Sequence, residues 1–284
     1  MNEQLAGKVA FITGGASGIG QALGFELAAR GCEVVLADRQ IELAREVEAK
    51  IRALGGRALG VELDVRDLGA FKRTVSDTVA RAGSVDFFFN NAGIGVGGEI
   101  STYDPQDFDD VFDVNLRGVA HGIQAVYPVM IAQGSGHIVN TASVAGLVAA
   151  PGNGSYTATK HAVVGLSKAL RMEGKRHGVR VTALCPGAIR TPILTGGRFG
   201  RIKVEGATEA LLMKQWERTR PMAPGVFARR VVDRVIANDA IIVIPGWWKA
   251  LWYLDRLSPA LCSALLLRLY ERVRAELEAG GVST

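Results

Sequence analysis

Tyr156 and Lys160 stand four residues apart in "GSYTATKHAVVGL", where apolar residues recur at helical spacing, so both side chains leave one face of a helix. The spacing has a chemical consequence. A phenol titrates near 10 and is a poor base at neutrality, but an ammonium a few ångströms away stabilises the phenolate. Such a phenol takes the proton of an alcohol, or returns it to a carbonyl, while hydride leaves or arrives at the carbon. The same pair also arises by chance on solvated helix faces, so the context decides. Ser143 closes the apolar run "GHIVNTAS" (136–143), at the end of a strand where open α/β sheets bind ligands. Its hydroxyl is placed to hold the substrate oxygen beside Tyr156.

Seven β-branched runs supply the strands: 8–13, 33–38, 57–64, 85–91, 136–143, 179–186 and 240–245. Between them, 19–30, 40–54, 67–82, 105–132, 155–177 and 225–238 carry helical periodicity. The alternation predicts an α/β fold, a Rossmann-type doubly wound parallel sheet of about seven strands with helices on both faces. Residues 1–245 form one such domain, with 192–224 as a mobile lid loop carrying a short helix, and 246–284 follow as a helical extension.

The first strand runs into "TGGASGIG", whose Gly14, Gly18 and Gly20 match neither the G-x-G-x-x-G fingerprint nor a triphosphate loop, since Gln21 and Ala22 replace the required Lys-Ser/Thr. A strand ending in a glycine turn that opens a helix presents free N–H groups and a positive dipole end, which bind anions. Gly14 supplies the turn, Gly18 the approach of a pyrophosphate and Gly20 the helix–strand contact. A tight turn without ligand is the bland alternative. Asp38, eighteen residues after Gly20 at the end of the second strand, weighs against it, because its carboxylate accepts from both adenosine ribose hydroxyls. That charge repels a 2′-phosphate and favours NAD over NADP, a preference that Arg39 softens.

In order along the chain, "TGGASGIG", "LAD" (36–38), "LDV" (63–65), "NNAG" (90–93), "VNL" (114–116), Ser143, "YTATK" and "PGAIRT" (186–191) resemble the short-chain dehydrogenase/reductase family in its compact single-domain branch, over about residues 6–192. The resemblance implies an NAD(P)-dependent alcohol dehydrogenase or ketone reductase, a homodimer or homotetramer. Carried over by position, Asn115, Ser143, Tyr156 and Lys160 form a catalytic tetrad. Tyr156 is the acid/base and Ser143 the polariser. Lys160 holds the nicotinamide ribose and depresses the tyrosine, and Asn115 holds a relay water. The cofactor contacts it implies are Gly14, Ser17, Gly18, Ile19, Gly20, Asp38 and Arg39, then Asp64 and Val65 at the adenine, with Asn90, Asn91, Ala92 and Gly93 along the adenosine side. Tyr156, Lys160, Pro186, Gly187, Ile189 and Thr191 complete the set, the last two at the carboxamide. For Asp64 the bland reading is a helix N-cap, and for Thr191 a turn hydroxyl. The run "FFF" (87–89), where the family has aliphatics, alters packing only.

Composition closes off other classes. Of 284 residues 48% are hydrophobic, enough for a core. Cys32, Cys185 and Cys262 are far apart, and the four histidines are never closer than sixteen residues, so neither a disulfide framework nor a metal is expected. "MNEQLAGK" lacks an apolar leader, so the expected compartment is the cytoplasm, with peripheral membrane contact through the tail as an open reading. The net charge of +5 sits in residues 198–284, as do all four tryptophans. The tail's longest uncharged stretch, Leu257 to Leu267, is eleven residues, short of the roughly 20 that span a bilayer. Three readings stand for it: packing on a neighbouring subunit or over the pocket as a lid, an amphipathic helix at a membrane surface, or an extra core helix.

The expected activity is NAD-dependent interconversion of a hydrophobic secondary alcohol and its ketone, of steroid, lipid or aryl class, because "VAGLVAAPGN" (144–153) offers no charge to grip an acid or phosphate. Met213, Trp216 and Met222 in the lid agree with an apolar substrate. The alternatives are an NADP-dependent carbonyl reductase of the same family or a non-catalytic dinucleotide sensor. A sugar-nucleotide epimerase would want a larger carboxyl-terminal domain. No nucleic-acid partner is expected.

Overall fold

The computed structural model describes residues 5–281. Among these residues are nine strands: β1 (Val9–Thr13), β2 (Glu33–Asp38), β3 (Arg57–Glu62), β4 (Phe87–Asn90), β5 (Val96–Gly97), β6 (Gly136–Thr141), β7 (Val179–Pro186), β8 (Arg201–Ile202) and β9 (Ile241–Ile244). The helices are α1 (Gly18–Ala29), α2 (Ile41–Ala53), α3 (Leu68–Ala82), α4 (Pro105–Phe112), α5 (Gly118–Gln133), α6 (Gly154–Gly174), α7 (Glu209–Glu217), α8 (Pro224–Ile236), α9 (Trp248–Leu257) and α10 (Pro259–Gly281).

Seven parallel strands form one sheet in the order β3-β2-β1-β4-β6-β7-β9. The chain winds outward from β1 to β3, then crosses back to β4 beside β1, which opens a crevice above the carboxyl ends of these strands. β1, β4 and β6 are buried along their whole length, as a sheet covered on both faces requires. The pleat divides the "FFF" run between the layers. Phe88 stacks on Phe11 at 5.2 Å on the α3–α5 side, while Phe87 and Phe89 pack with Leu23, Leu27 and Phe227 on the α1–α8 side.

Two local departures bear on the site. The helix expected over 105–132 is broken by a π-helical turn at Asp113–Arg117, which holds Asn115. The segment expected as a mobile lid loop with a short helix does carry α7, and it is fastened at its base. β8 pairs with β5, and Arg201 bonds Asp107 (2.5 Å) and Asp110 (2.7 Å) while Lys203 bonds Asp107 (2.7 Å). Asp107 is buried, so its two cations offset the loss of hydration and hold its carboxyl below the usual range.

After β9 the tail turns back over the crevice as α9 and α10. Glu99 accepts from the Tyr270 hydroxyl (3.0 Å) and from Arg274 (2.6 Å), and Glu276 pairs with Arg218 just after α7 (2.7 Å). Among the described residues no helix is long and apolar enough to cross a membrane.

Candidate active site

The floor of the crevice is the turn between β1 and α1. Gly14 and Gly18 adopt φ of +65° and +54°, and a Cβ on Gly14 would stand 2.9 Å from the Ala92 backbone. Gly20 has no room for one against the Gly14 carbonyl, so it holds helix to turn and lies outside the cavity. The turn is tied to both neighbouring strands. Thr13 Oγ1 accepts from the Asn91 and Ala92 N–H groups, at 2.9 and 3.0 Å. Asp38, buried at the end of β2, accepts from Ala16 N–H at 3.1 Å through one carboxylate oxygen and from Gln40 N–H at 3.0 Å through the other.

A cavity of about 440 Å³ opens above this turn, within the roughly 300–1,000 Å³ of small-molecule sites. At one end it is lined by Gly14, Ser17, Gly18, Ile19, Asp38, Arg39, Asp64 and Val65, with Asn91, Ala92 and Gly93 along its side. Pro186, Gly187, Ile189 and Thr191 follow β7 into the same wall, and Gly18 faces the Thr191 side chain so closely that a Cβ would sit 3.3 Å from it. The Thr191 hydroxyl donates to the Ile189 carbonyl at 3.3 Å. Asp64 is not the helix cap, since Asp67 caps α3 by accepting from Ala70 N–H. Asp64 instead chelates Arg66, whose guanidinium holds its carboxyl below the ordinary value.

At the other end stand Ser143, Tyr156 and Lys160. Ser143 caps the short 3₁₀ turn Val144–Gly146 by accepting from Ala145 N–H at 3.1 Å, which fixes its side chain at the end of β6 beside the phenol. Tyr156 and Lys160 lie one turn apart on α6, with Lys160 Nζ 5.3 Å from the phenol ring centroid. Lys160 is buried and donates to the Thr141 carbonyl at 2.9 Å. Gly93 keeps the space before this amine open, for a Cβ there would stand 3.5 Å from Nζ.

The protonation balance differs from the sequence expectation. Burial raises the Tyr156 phenol, the Ser143 hydroxyl pulls it partly back, and the same burial lowers the Lys160 ammonium to about 8. The loss of water disfavours the charged form of each group.

One further expectation is corrected, and Asn115 takes a position of its own. Asn90 does not line the cleft. Its side chain turns into the core, donating to Asn140 Oδ1 (2.8 Å), because the pleat of β4 sends it away from the neighbouring Asn91. Asn115 is also buried outside the cavity, with its amide used on both sides by Ile94, whose N–H it accepts and whose carbonyl it bonds, each at 2.9 Å. Arg39 lies with its guanidinium 3.8 Å above the Phe199 ring, a clasp from β2 to the lid that no spacing foretold. Trp248, Leu251, Leu266 and Trp216 complete the wall, while Met213 and Met222 do not reach it. The tail's aromatic content was their signal, without register to say which ones turn inward.

The short chain dehydrogenase family model matches residues 8–198. The 2-(R)-hydroxypropyl-CoM dehydrogenase of Xanthobacter autotrophicus is 35% identical over 249 residues, 86% of this chain and 99% of that protein. The 2,5-dichloro-2,5-cyclohexadiene-1,4-diol dehydrogenase LinX of Sphingobium indicum is 40% identical over 193 residues, 68% of this chain and 77% of its own. A crystal structure of a short chain dehydrogenase/reductase from Burkholderia phymatum in complex with NAD superposes with a TM-score of 0.82 at 32% identity, covering 90% of this chain and 95% of that one.

Proposed function

Because the chain belongs to the short-chain dehydrogenase family, and is thereby an oxidoreductase, we propose that it interconverts a hydrophobic secondary alcohol and its ketone with NAD as cofactor. The observation that carries this reading is a single cavity with Ser143, Tyr156 and Lys160 at one end and the glycine turn with Asp38 at the other. The cradle fits a dinucleotide. Its turn lacks side chains where a pyrophosphate would approach, its helix N-terminus offers N–H groups, and a carboxylate stands where a ribose would lie. Arg39 rests on Phe199, so the cation best able to receive a 2′-phosphate is engaged elsewhere, which supports NAD over NADP.

A bound NAD would supply the hydride acceptor for oxidation of the alcohol, and NADH the hydride donor for the reverse. Tyr156 takes the hydroxyl proton or gives it back, Ser143 donates to the oxygen on which charge develops, and Lys160 supplies the cation that makes the phenolate accessible. The walls are Val144, Val148, Leu251 and Leu266, which favour an apolar substrate. The relatives named for a diol and for a hydroxypropyl conjugate support alcohol chemistry here.

The protein assembles with further copies of itself. Leu261, Leu265 and Leu269 form an exposed stripe on the outer face of α10, and Glu271 stands among its arginines in the sequence. This mixture of signs suits a second copy better than an anionic lipid surface.

Tyr156→Phe tests the catalytic reading. Turnover of secondary alcohols, followed by NADH absorbance, falls roughly 10³-fold while the NADH dissociation constant stays unchanged. A variant that retains turnover removes the phenol from the mechanism, and with it the proposal.

A further inference from the structure

We propose that α10 sets the length of substrate the enzyme accepts: Leu266 is the wall that a long ketone or alcohol meets, and the contact of Tyr270 with Glu99 and Gly152 seats that wall. The inference rests on the alcohol–ketone reading above and adds a size limit to its substrates.

Leu266 reaches the cavity wall from the tail, beyond the residues 8–198 that match the family model. One turn later, on the same face of the helix, comes Tyr270. Its ring lies against Gly152, where a Cβ would stand 3.2 Å away, and its hydroxyl donates to Glu99 at 3.0 Å. Gly152 belongs to the loop that leads from Ser143 to α6 and Tyr156, and its carbonyl accepts from Gly98 N–H at 2.8 Å. Tyr270 thus docks α10 at the substrate end of the cleft.

The same face is held at successive turns. Cys262 is buried one turn before Leu266, and Arg274, one turn after Tyr270, donates to Glu99 at 2.6 Å. Glu276 then accepts from Gln215 on α7 at 2.9 Å and pairs with Arg218 at 2.7 Å. Exposed ion pairs are individually weak, so it is their repetition along one face that fixes the helix.

On the other face Leu261 and Leu265 are exposed, so within one chain α10 is the last layer between Leu266 and solvent. A leucine there ends the cavity. Alanine takes about three carbons off that end, and cavities left by such truncations refill only partially.

The test measures kcat/KM with NADH for cyclohexanone and its 4-ethyl, 4-butyl and 4-hexyl derivatives. Each value is scaled to cyclohexanone in the same variant, so that a general loss of activity cancels. In the native enzyme the scaled value rises with the first added carbons and then drops at a length limit. Leu266→Ala moves that limit out by about two carbons and raises the scaled value beyond it roughly tenfold, the scale of one or two methylenes in an apolar pocket. Leu266→Phe moves the limit in. Tyr270 does not line the cavity, yet Tyr270→Ala moves the limit out as well, through KM for the long ketones, whereas a merely structural role would lower all four ketones together. No length limit in the native enzyme, or a limit that stays in place in Leu266→Ala or in Tyr270→Ala, overturns the inference. Should Tyr270→Ala fail to fold, Glu99→Gln, which weakens the same seat, takes its place. If the native enzyme reduces none of the four ketones, the substrate class of the preceding section falls, whereas reduction with an unmoved limit sinks this inference alone.

Discussion

At Asp38 the two carboxylate oxygens each accept a backbone N–H, one from the glycine turn and one from the start of α2, so the side chain is both a structural brace and a charge at the ribose end. Each oxygen keeps a lone pair for a ligand hydroxyl. The same charge opposes a 2′-phosphate, and juxtaposed like charges cost several kcal/mol. Asp38→Ser keeps an acceptor for the Ala16 N–H and removes the repulsion. The ratio of kcat/KM for NADP to that for NAD therefore rises roughly 30- to 100-fold, about 2–3 kcal/mol. Parallel cofactor titrations check this, and an unchanged ratio shifts the discrimination to other residues. At this scale the sequence was most legible where chemistry dictates residue type: Gly14, Gly18, Asp38, Ser143, Tyr156 and Lys160 all face one cavity. Asn90 misled because adjacent polar residues in "NNAG" point to opposite sides of a pleated strand.

Among the elements, the strands follow their apolar runs closely, and β6 carries an unusual passenger. His137 is fully buried there, its Nε2 2.8 Å from Thr182 Oγ1, and Thr182 itself donates to the Asp239 carbonyl at 2.6 Å. The threonine hydroxyl thus accepts from Nε2–H, and Nδ1 is left without a partner, an arrangement for a neutral ring. Burial, with Arg180 and Arg171 adding repulsion, lowers its pKa to about 3. The unfolded chain takes up a proton near pH 6.5 that the folded chain refuses until about pH 3, so stability falls as pH drops through that window. The slope from this one group is at most about 1.4 kcal/mol per pH unit. Urea unfolding between pH 7 and 4 shows a shallower loss for His137→Leu than for the native chain; equal slopes would mean that the ring is protonated in the fold. The break between α4 and α5 was hidden from periodicity, since a π-turn adds one residue without interrupting the apolar face. The fastening of β8 was hidden too, because Arg201 and Lys203 find Asp107 some ninety residues away.

For the molecule as a whole, the open matter in the sequence was the tail, and α10 shows why composition left three readings standing. Its apolar residues point two ways. Cys262, Leu266 and Leu277 turn toward the body of the protein, while Leu261, Leu265 and Leu269, at successive four-residue steps, are 58%, 42% and 52% exposed. A single amphipathic face would have one stripe, and this helix has two. Of the inner stripe, Leu266 reaches the cavity wall. Leu257, at the end of α9, is 86% exposed as well, and exposed apolar residues grouped in this way mark a contact surface. The proposed pairing of two copies would bury the same stripe from both sides. Light scattering on the eluted protein accordingly gives a mass at least twice that of one chain. Leu261→Gln with Leu265→Gln shifts it toward the monomer without lowering the melting temperature by more than a few degrees, since neither side chain is in the core. Flotation with anionic vesicles leaves the native protein in the lipid-free fraction. A monomeric native chain at micromolar concentration, or one that floats with the vesicles, assigns this face to something other than a second copy.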